Sequence, residues 1–160
     1  MTVLGCTGHR AIPAAALDHV TAGIRRQIAR HDPTGLVGVS SLAAGADQLF
    51  AGAVLRAGAR LRVVVPSAGY ATTFAAVELP RYEALLAAAT QHETLGYPEP
   101  SDEAFLAAGR RVVDLSDVLL AVWDRRPARG KGGTADVVAY AEQQGVPVEV
   151  VWPEGIDRDP

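Results

Sequence analysis

The feature that most constrains the fold is Val118–Trp123, an unbroken apolar run closed off by Asp117 and Asp124. A half-solvated strand would alternate; a short continuous run reads as a strand buried on both faces of a parallel sheet. Such a strand needs paired neighbours and helices over both faces, which sets terms for the rest of the chain. A polar, basic, glycine-rich loop, Asp124–Gly133, comes next. Thr134 then opens a helical segment with apolar residues at Val137, Val138 and Ala141. Strand, glycine loop and helix start, in that order, favour an anion. The first N–H groups of a helix are unpaired, its dipole attracts negative charge, and glycine lets a phosphate approach the backbone.

Taken in order, the chain repeats that alternation. Val3–Cys6 is a strand leading into a Thr7-Gly8-His9-Arg10 turn. Leu17, Val20, Ile24 and Ile28 recur at spacings of three and four, so Ala14–Arg30 is an amphipathic helix, with Pro13 at its start. Leu36–Val39 is the second strand, followed by Ser40–Gly45 and a helix from about Ala46 to Ala57. Asp47 falls in that helix's first turn, where a carboxylate favours the dipole. Leu61–Val65 is the third strand, and Ser67–Val77 is the least regular stretch. Glu78–Thr90 is a helix that accommodates Pro80 in its first turn. His92–Leu95 is a weak fourth strand. A helix over Asp102–Ser116 leads into the buried run, and Val148–Trp152 is the last strand.

Strands alternating with helices imply right-handed crossovers and a mainly parallel sheet in a single-domain, three-layer α/β sandwich. The expected domain is 1–155, with 156–160 as a polar tail. In such sheets ligands bind beyond the carboxyl ends of the strands, at the switch in strand order. The loops that end there, Thr7–Arg10, Ser40–Gly45, Pro66–Phe74 and Asp124–Thr134, are also where glycine and polar residues concentrate.

The formal net charge of −3 gives no bulk attraction for nucleic acid, so DNA is not the expected partner. Arg125, Arg126, Arg129 and Lys131 nonetheless crowd one loop. The single cysteine, Cys6, excludes an internal disulfide and a cysteine-built zinc site, and its strand makes it a core thiol. His9 has no partner histidine at liganding spacing, since His19, His31 and His92 are remote, so no metal and no cofactor is expected. No apolar run approaches membrane-spanning length, and a cytoplasmic location is the expectation.

TGHR after strand one, SSLAAGAD, VVVP, and SDVLLAVWD followed by GGTADVV together resemble the SLOG superfamily, and within it the YpsA-like branch most closely. The superfamily includes DprA-type DNA-processing proteins and Lonely-guy phosphoribohydrolases. The resemblance spans Val3 to about Val151. It implies a Rossmann-like fold, a nucleotide or nucleotide-derived ligand, and self-association as a homodimer. It also implies ligand or phosphate contacts from Thr7, Gly8, His9, Arg10, Ser41, Gly45, Lys131, Gly132, Gly133 and Thr134.

One position departs. Lonely-guy enzymes carry a glutamate three residues after the threonine of this motif, and deoxyribosyltransferases place their nucleophile similarly. Here that position is Val137, which supplies no carboxylate for glycosidic cleavage. Asp136 is adjacent, but one residue turns a helix by about 100°. The sequence therefore reads as a module that binds or senses a nucleotide without the cleavage chemistry. The alternative is a phosphoribohydrolase or deoxyribosyltransferase-like enzyme using a displaced carboxylate such as Asp136, Asp47 or Glu78. No catalytic residue is assigned.

Overall fold

The computed structural model describes residues 1–128 and 133–158. The apolar run is strand β5, Val118–Val122, with four of its five residues fully buried. It pairs on one side with β1, Thr2–Gly8, and on the other with β6, Val148–Val150. Beyond β1 lie β2, Leu36–Ser40, β3, Arg60–Ser67, and β4, Gln91–Tyr97, so the order across the sheet is β4-β3-β2-β1-β5-β6. Every pairing is parallel. The chain builds outward from β1 to β4, then crosses back to β5 on β1's other side. The switch point is therefore the crevice between β1 and β5.

Helices α1, Ala14–Ala29, α2, Ala46–Arg56, and α3, Leu79–Ala88, cover one face. Their apolar stripes meet Leu4, Cys6, Leu36, Leu61, Val63, Leu120 and Val122 in one core, where Val20, Ile24, Phe50 and Val54 are almost wholly enclosed. Helices α4, Asp102–Leu115, and α5, Thr134–Gln143, cover the other face, with Ala108, Val112, Val137 and Ala141 against Val39, Val64 and Leu119. The alternation of facing residues along β5, Leu120 and Val122 one way and Leu119 the other, is the strand period meeting two cores. The result is an α/β Rossmann-like three-layer sandwich in a single domain.

Several boundaries differ from the sequence expectations; β3 runs on to Ser67, and β6 stops at Val150. Strand β1 runs on through Thr7 and Gly8, which pair with Ala121 and Val122 of β5 instead of forming a turn. Strand β4 is a full seven residues; as an edge strand it needs little apolar surface, so its polar residues hide it. The irregular stretch after β3 contains a 3₁₀ turn, Tyr70–Thr73, whose Tyr70 packs edge-on against Phe74, Tyr82 and Phe105. Cys6 is buried. Among the described residues no helix is long and apolar enough to cross a membrane, and no cluster of three or more His, Cys, Asp and Glu is placed to hold a metal ion.

Candidate functional site

His9 is the residue on which the loops at the switch point converge. Leaving β1, its N–H donates to the carbonyl of Val122 at the end of β5, 3.1 Å, and its carbonyl accepts from Ala46 N–H at the start of α2, 3.1 Å. His9 is 6% exposed. Nε2 lies 3.1 Å from Asp124 Oδ1 and 3.1 Å from the Asp124 backbone nitrogen, while Nδ1 faces Thr134 Oγ1 at 3.4 Å. The edge of Trp152 supports the ring at 5.4 Å between centroids. One side chain thus ties together β1, β5, α5 and the segment after β6.

The Asp124 carboxyl is held in the same network. Arg126 N–H donates to its Oδ1, 3.0 Å, and Arg158 N–H to its Oδ2, 3.4 Å. Burial alone would raise its pKa, but the two amides and His9 outweigh that and hold it below the usual aspartate value. The Arg158 side chain turns back over the site. Its Nη2 donates to Pro127 O, 2.6 Å, and its Nη1 lies 3.3 Å from His9 Nδ1. Its Nε is buried without a hydrogen-bond acceptor among the described residues, 3.5 Å from Asp124 Oδ2. The segment carrying Arg158 is anchored by Trp152 Nε1 donating to Ile156 O, 2.5 Å, and by an Arg126–Asp157 ion pair, 3.2 Å.

The β2–α2 turn is a shaped element. Leu42 is buried with φ of 58°, a left-handed conformation that costs a branched side chain on the order of 1–2 kcal/mol. Its N–H donates to Ser40 Oγ, 3.0 Å, and its carbonyl accepts from Gln48 Nε2, 3.1 Å, which fix the turn. Gly45 follows with φ of 82°, and a Cβ there would overlap the carbonyl of Arg10. Glycine at this position lets the second loop close directly onto the first.

These loops surround a cleft of about 470 Å³, within the range typical of small-molecule sites. Seven of the residues expected from sequence line it: Thr7, Gly8, His9, Arg10, Ser41, Gly133 and Thr134. Gly45 does not; it acts behind the wall, through the backbone of Arg10. Lys131 and Gly132 lie outside the described residues. Gly133 is the N-cap of α5 and has no side chain to cap it, so among the described residues the first N–H groups of that helix carry no side-chain acceptor. Arg10 reaches the cleft with its guanidinium over the Phe105 ring, 5.0 Å from the centroid. Tyr70, Phe105 and Pro66 add an apolar flank.

The position of the missing glutamate is also on this wall. Val137 is 1% exposed and packs so closely on Gly109 of α4 that a Cβ there would overlap it. Of the three carboxylates that could substitute, Asp136 faces a separate groove between α4 and α5, and Glu78 accepts from Ala75 N–H, 2.8 Å. Asp47 alone of the three lines the main cleft. The sequence marks Asp47 chiefly as a helix-dipole residue and assigns Arg158 no role. No local pattern marks Arg158, because its partners are more than thirty residues away or nearly the whole chain away. Trp123 does not line the cleft, and its Nε1 donates to Arg126 O, 2.9 Å.

No protein-family model and no curated protein matches the sequence. Solved structures do. DNA processing protein A from Helicobacter pylori, described for its single-stranded DNA binding mode, is similar with a TM-score of 0.68 and 20% identity, over 99% of this chain and 68% of that one. DprA from Streptococcus pneumoniae gives 0.71 and 19% over 98% of this chain, which spans about half, 52%, of that protein. The molybdenum cofactor carrier protein from Chlamydomonas reinhardtii gives 0.54 and 19%, over 93% of this chain and 75% of that one. At these identities what is shared is the fold.

Proposed function

We propose that this chain is a SLOG-type module that binds a nucleotide or nucleotide-derived ligand in the cleft at the β1/β5 switch point. The observation that supports it best is convergence. Three loops far apart in sequence bring a polar, partly cationic lining to one cleft, at the end of the sheet where parallel α/β folds bind ligands. The start of α5, whose N-cap is the side-chain-free Gly133 followed by Thr134, is the place for a phosphate, and Arg10 and Arg158 add charge for it. The flank of Tyr70 and Phe105 suits the face of a base or another planar group. The likeness to a cofactor carrier and to DNA-binding DprA supports a ligand-binding use of the fold. Lys131 and Gly132 are proposed to complete the phosphate loop, and the YpsA-like branch is the proposed place within the superfamily.

The test is equilibrium dialysis against nucleoside monophosphates, the matching nucleosides, inorganic phosphate and a single-stranded oligonucleotide. Saturable binding of a monophosphate, competed by phosphate and much weaker for its nucleoside, supports the reading. Tight oligonucleotide retention at physiological salt with no monophosphate binding replaces it with DNA binding.

A second reading, cleavage of an N-glycosidic bond, has one observation in its favour: Asp47 places a carboxyl in the cleft although Val137 does not. Release of free base from a monophosphate, abolished by Asp47→Asn, supports it. Intact monophosphate after prolonged incubation with saturating protein removes it.

A further inference from the structure

Asp47 is the buried acid of the cleft. It is 7% exposed, and its Oδ1 is sealed from solvent with no hydrogen-bond partner among the described residues. An ionised carboxylate is an acceptor on both oxygens, and enclosing one without a donor is costly. Each element packed around it contributes a neighbour. Strand β1 supplies the Cys6 thiol, the end of β2 the Ser40 hydroxyl, and the following turn the Ala43 amide. The β1–α1 loop supplies Arg10, and the 3₁₀ turn supplies Tyr70. Arg10 is the one cation among these, and it is an exposed side chain engaged with Phe105. His9, Asp102 and Arg158 lie farther along the same cleft wall.

Burial raises the Asp47 carboxyl from 3.8 to about 7, with Ala43, Arg10, Ser40 and Cys6 pulling it back only in part. Cys6 and Tyr70 are pushed up as well, by burial first and by Asp47 after it. The cleft thus resists negative charge at Asp47, while the start of α5 on the same cleft favours one.

We propose that Asp47 is the proton-carrying recognition group of the cleft: a phosphate-bearing ligand binds with Asp47 as the neutral acid, and binding above neutral pH takes up one proton. This rests on the reading of the cleft as an anion site. Two negative groups in one partly enclosed cavity repel, and the sealed carboxyl, lacking a donor on Oδ1, gives up its charge more readily than the phosphate does.

The experiment is calorimetric titration of wild type and Asp47→Asn with adenosine 5′-monophosphate from pH 6 to 9, in paired buffers of different ionisation enthalpy. Asparagine keeps the shape and cannot ionise, and ionisation of the probe itself is common to both proteins. The two affinities run parallel near pH 6 and separate above pH 7, with wild type weaker by about tenfold at pH 8 and taking up a proton the variant does not. Identical pH profiles and proton uptake in two folded proteins overturn the inference and leave the binding site standing. No binding by wild type at any pH overturns both. If the variant fails to fold, ¹³C NMR of the Asp47 carboxyl decides. Its midpoint rises on adding the monophosphate, and an unchanged midpoint overturns the inference.

Discussion

Replacing Asp47 by asparagine changes the pH dependence of stability in a direction fixed by the structure. The folded carboxyl titrates at about 7 against 3.8 for the free side chain. At about 1.4 kcal/mol per pH unit, holding it ionised in the fold costs on the order of 4 kcal/mol. The sign follows from proton counts. Between those two values the native state holds a proton that the unfolded chain does not, so wild-type stability is favoured at low pH. It falls as pH rises through the window and levels off above about 7. The asparagine variant has no such fall. Its stability relative to wild type therefore climbs with pH, by up to about 4 kcal/mol between pH 4 and pH 8. Any change in packing or hydrogen bonding adds a constant offset, and every other titrating group cancels in the difference. Urea unfolding at four pH values, followed by Trp123 and Trp152 fluorescence, measures the curve. A difference that stays flat across that range would mean Asp47 is ionised at no cost, and the account of the cleft at Asp47 would be wrong.

Other outcomes follow from the same geometry. Gly45→Ala meets a left-handed backbone and the Arg10 carbonyl together, so thermal unfolding should report a loss of at least about 1–2 kcal/mol. Asp124→Asn removes the carboxylate that His9, Arg126 and Arg158 share, and should cost about 1–3 kcal/mol at neutral pH. That cost fades as pH drops below the usual aspartate range, because the depressed pKa of Asp124 stabilises the fold only while the group is ionised. Lys131→Ala should weaken monophosphate binding by about 1–2 kcal/mol, as for one charged hydrogen bond, in the same dialysis assay.

The layers of the fold were legible because they rest on burial. Val118–Val122 is apolar on both faces and lies between β1 and β6, and α1 shows its stripe at Val20, Ile24 and Ile28. Edges and loops obey weaker rules. Strand β4 carries polar residues on an open edge, so its length escaped the apolar pattern, and Thr7 and Gly8 looked like turn residues although they close the β1–β5 ladder. Glycine and polar residues concentrate in the loops that leave the carboxyl ends of the strands, and seven of the residues singled out there line the cleft. Arg158 and Trp152 stayed hidden because they reach His9 from the far end of the chain. The state of Asp47 was likewise unreadable. A carboxylate in a first helical turn is usually solvated, and this one is enclosed by residues of β1, β2 and the neighbouring loops that are distant in sequence.

The central claim is that a phosphate sits at the start of α5, and Gly133→Asp tests it most directly. Gly133 has φ of −67° and ψ of 165°, a conformation aspartate adopts freely, and aspartate is a favoured N-cap, so the variant should fold at least as well as wild type. Its carboxylate would occupy the N–H groups offered to the ligand and repel an incoming anion. Calorimetric titration with the tightest monophosphate from the dialysis panel should give one saturable site per wild-type chain and none in the variant, with unchanged or higher unfolding temperature. Wild-type affinity in a folded Gly133→Asp protein would contradict the account and place the ligand elsewhere.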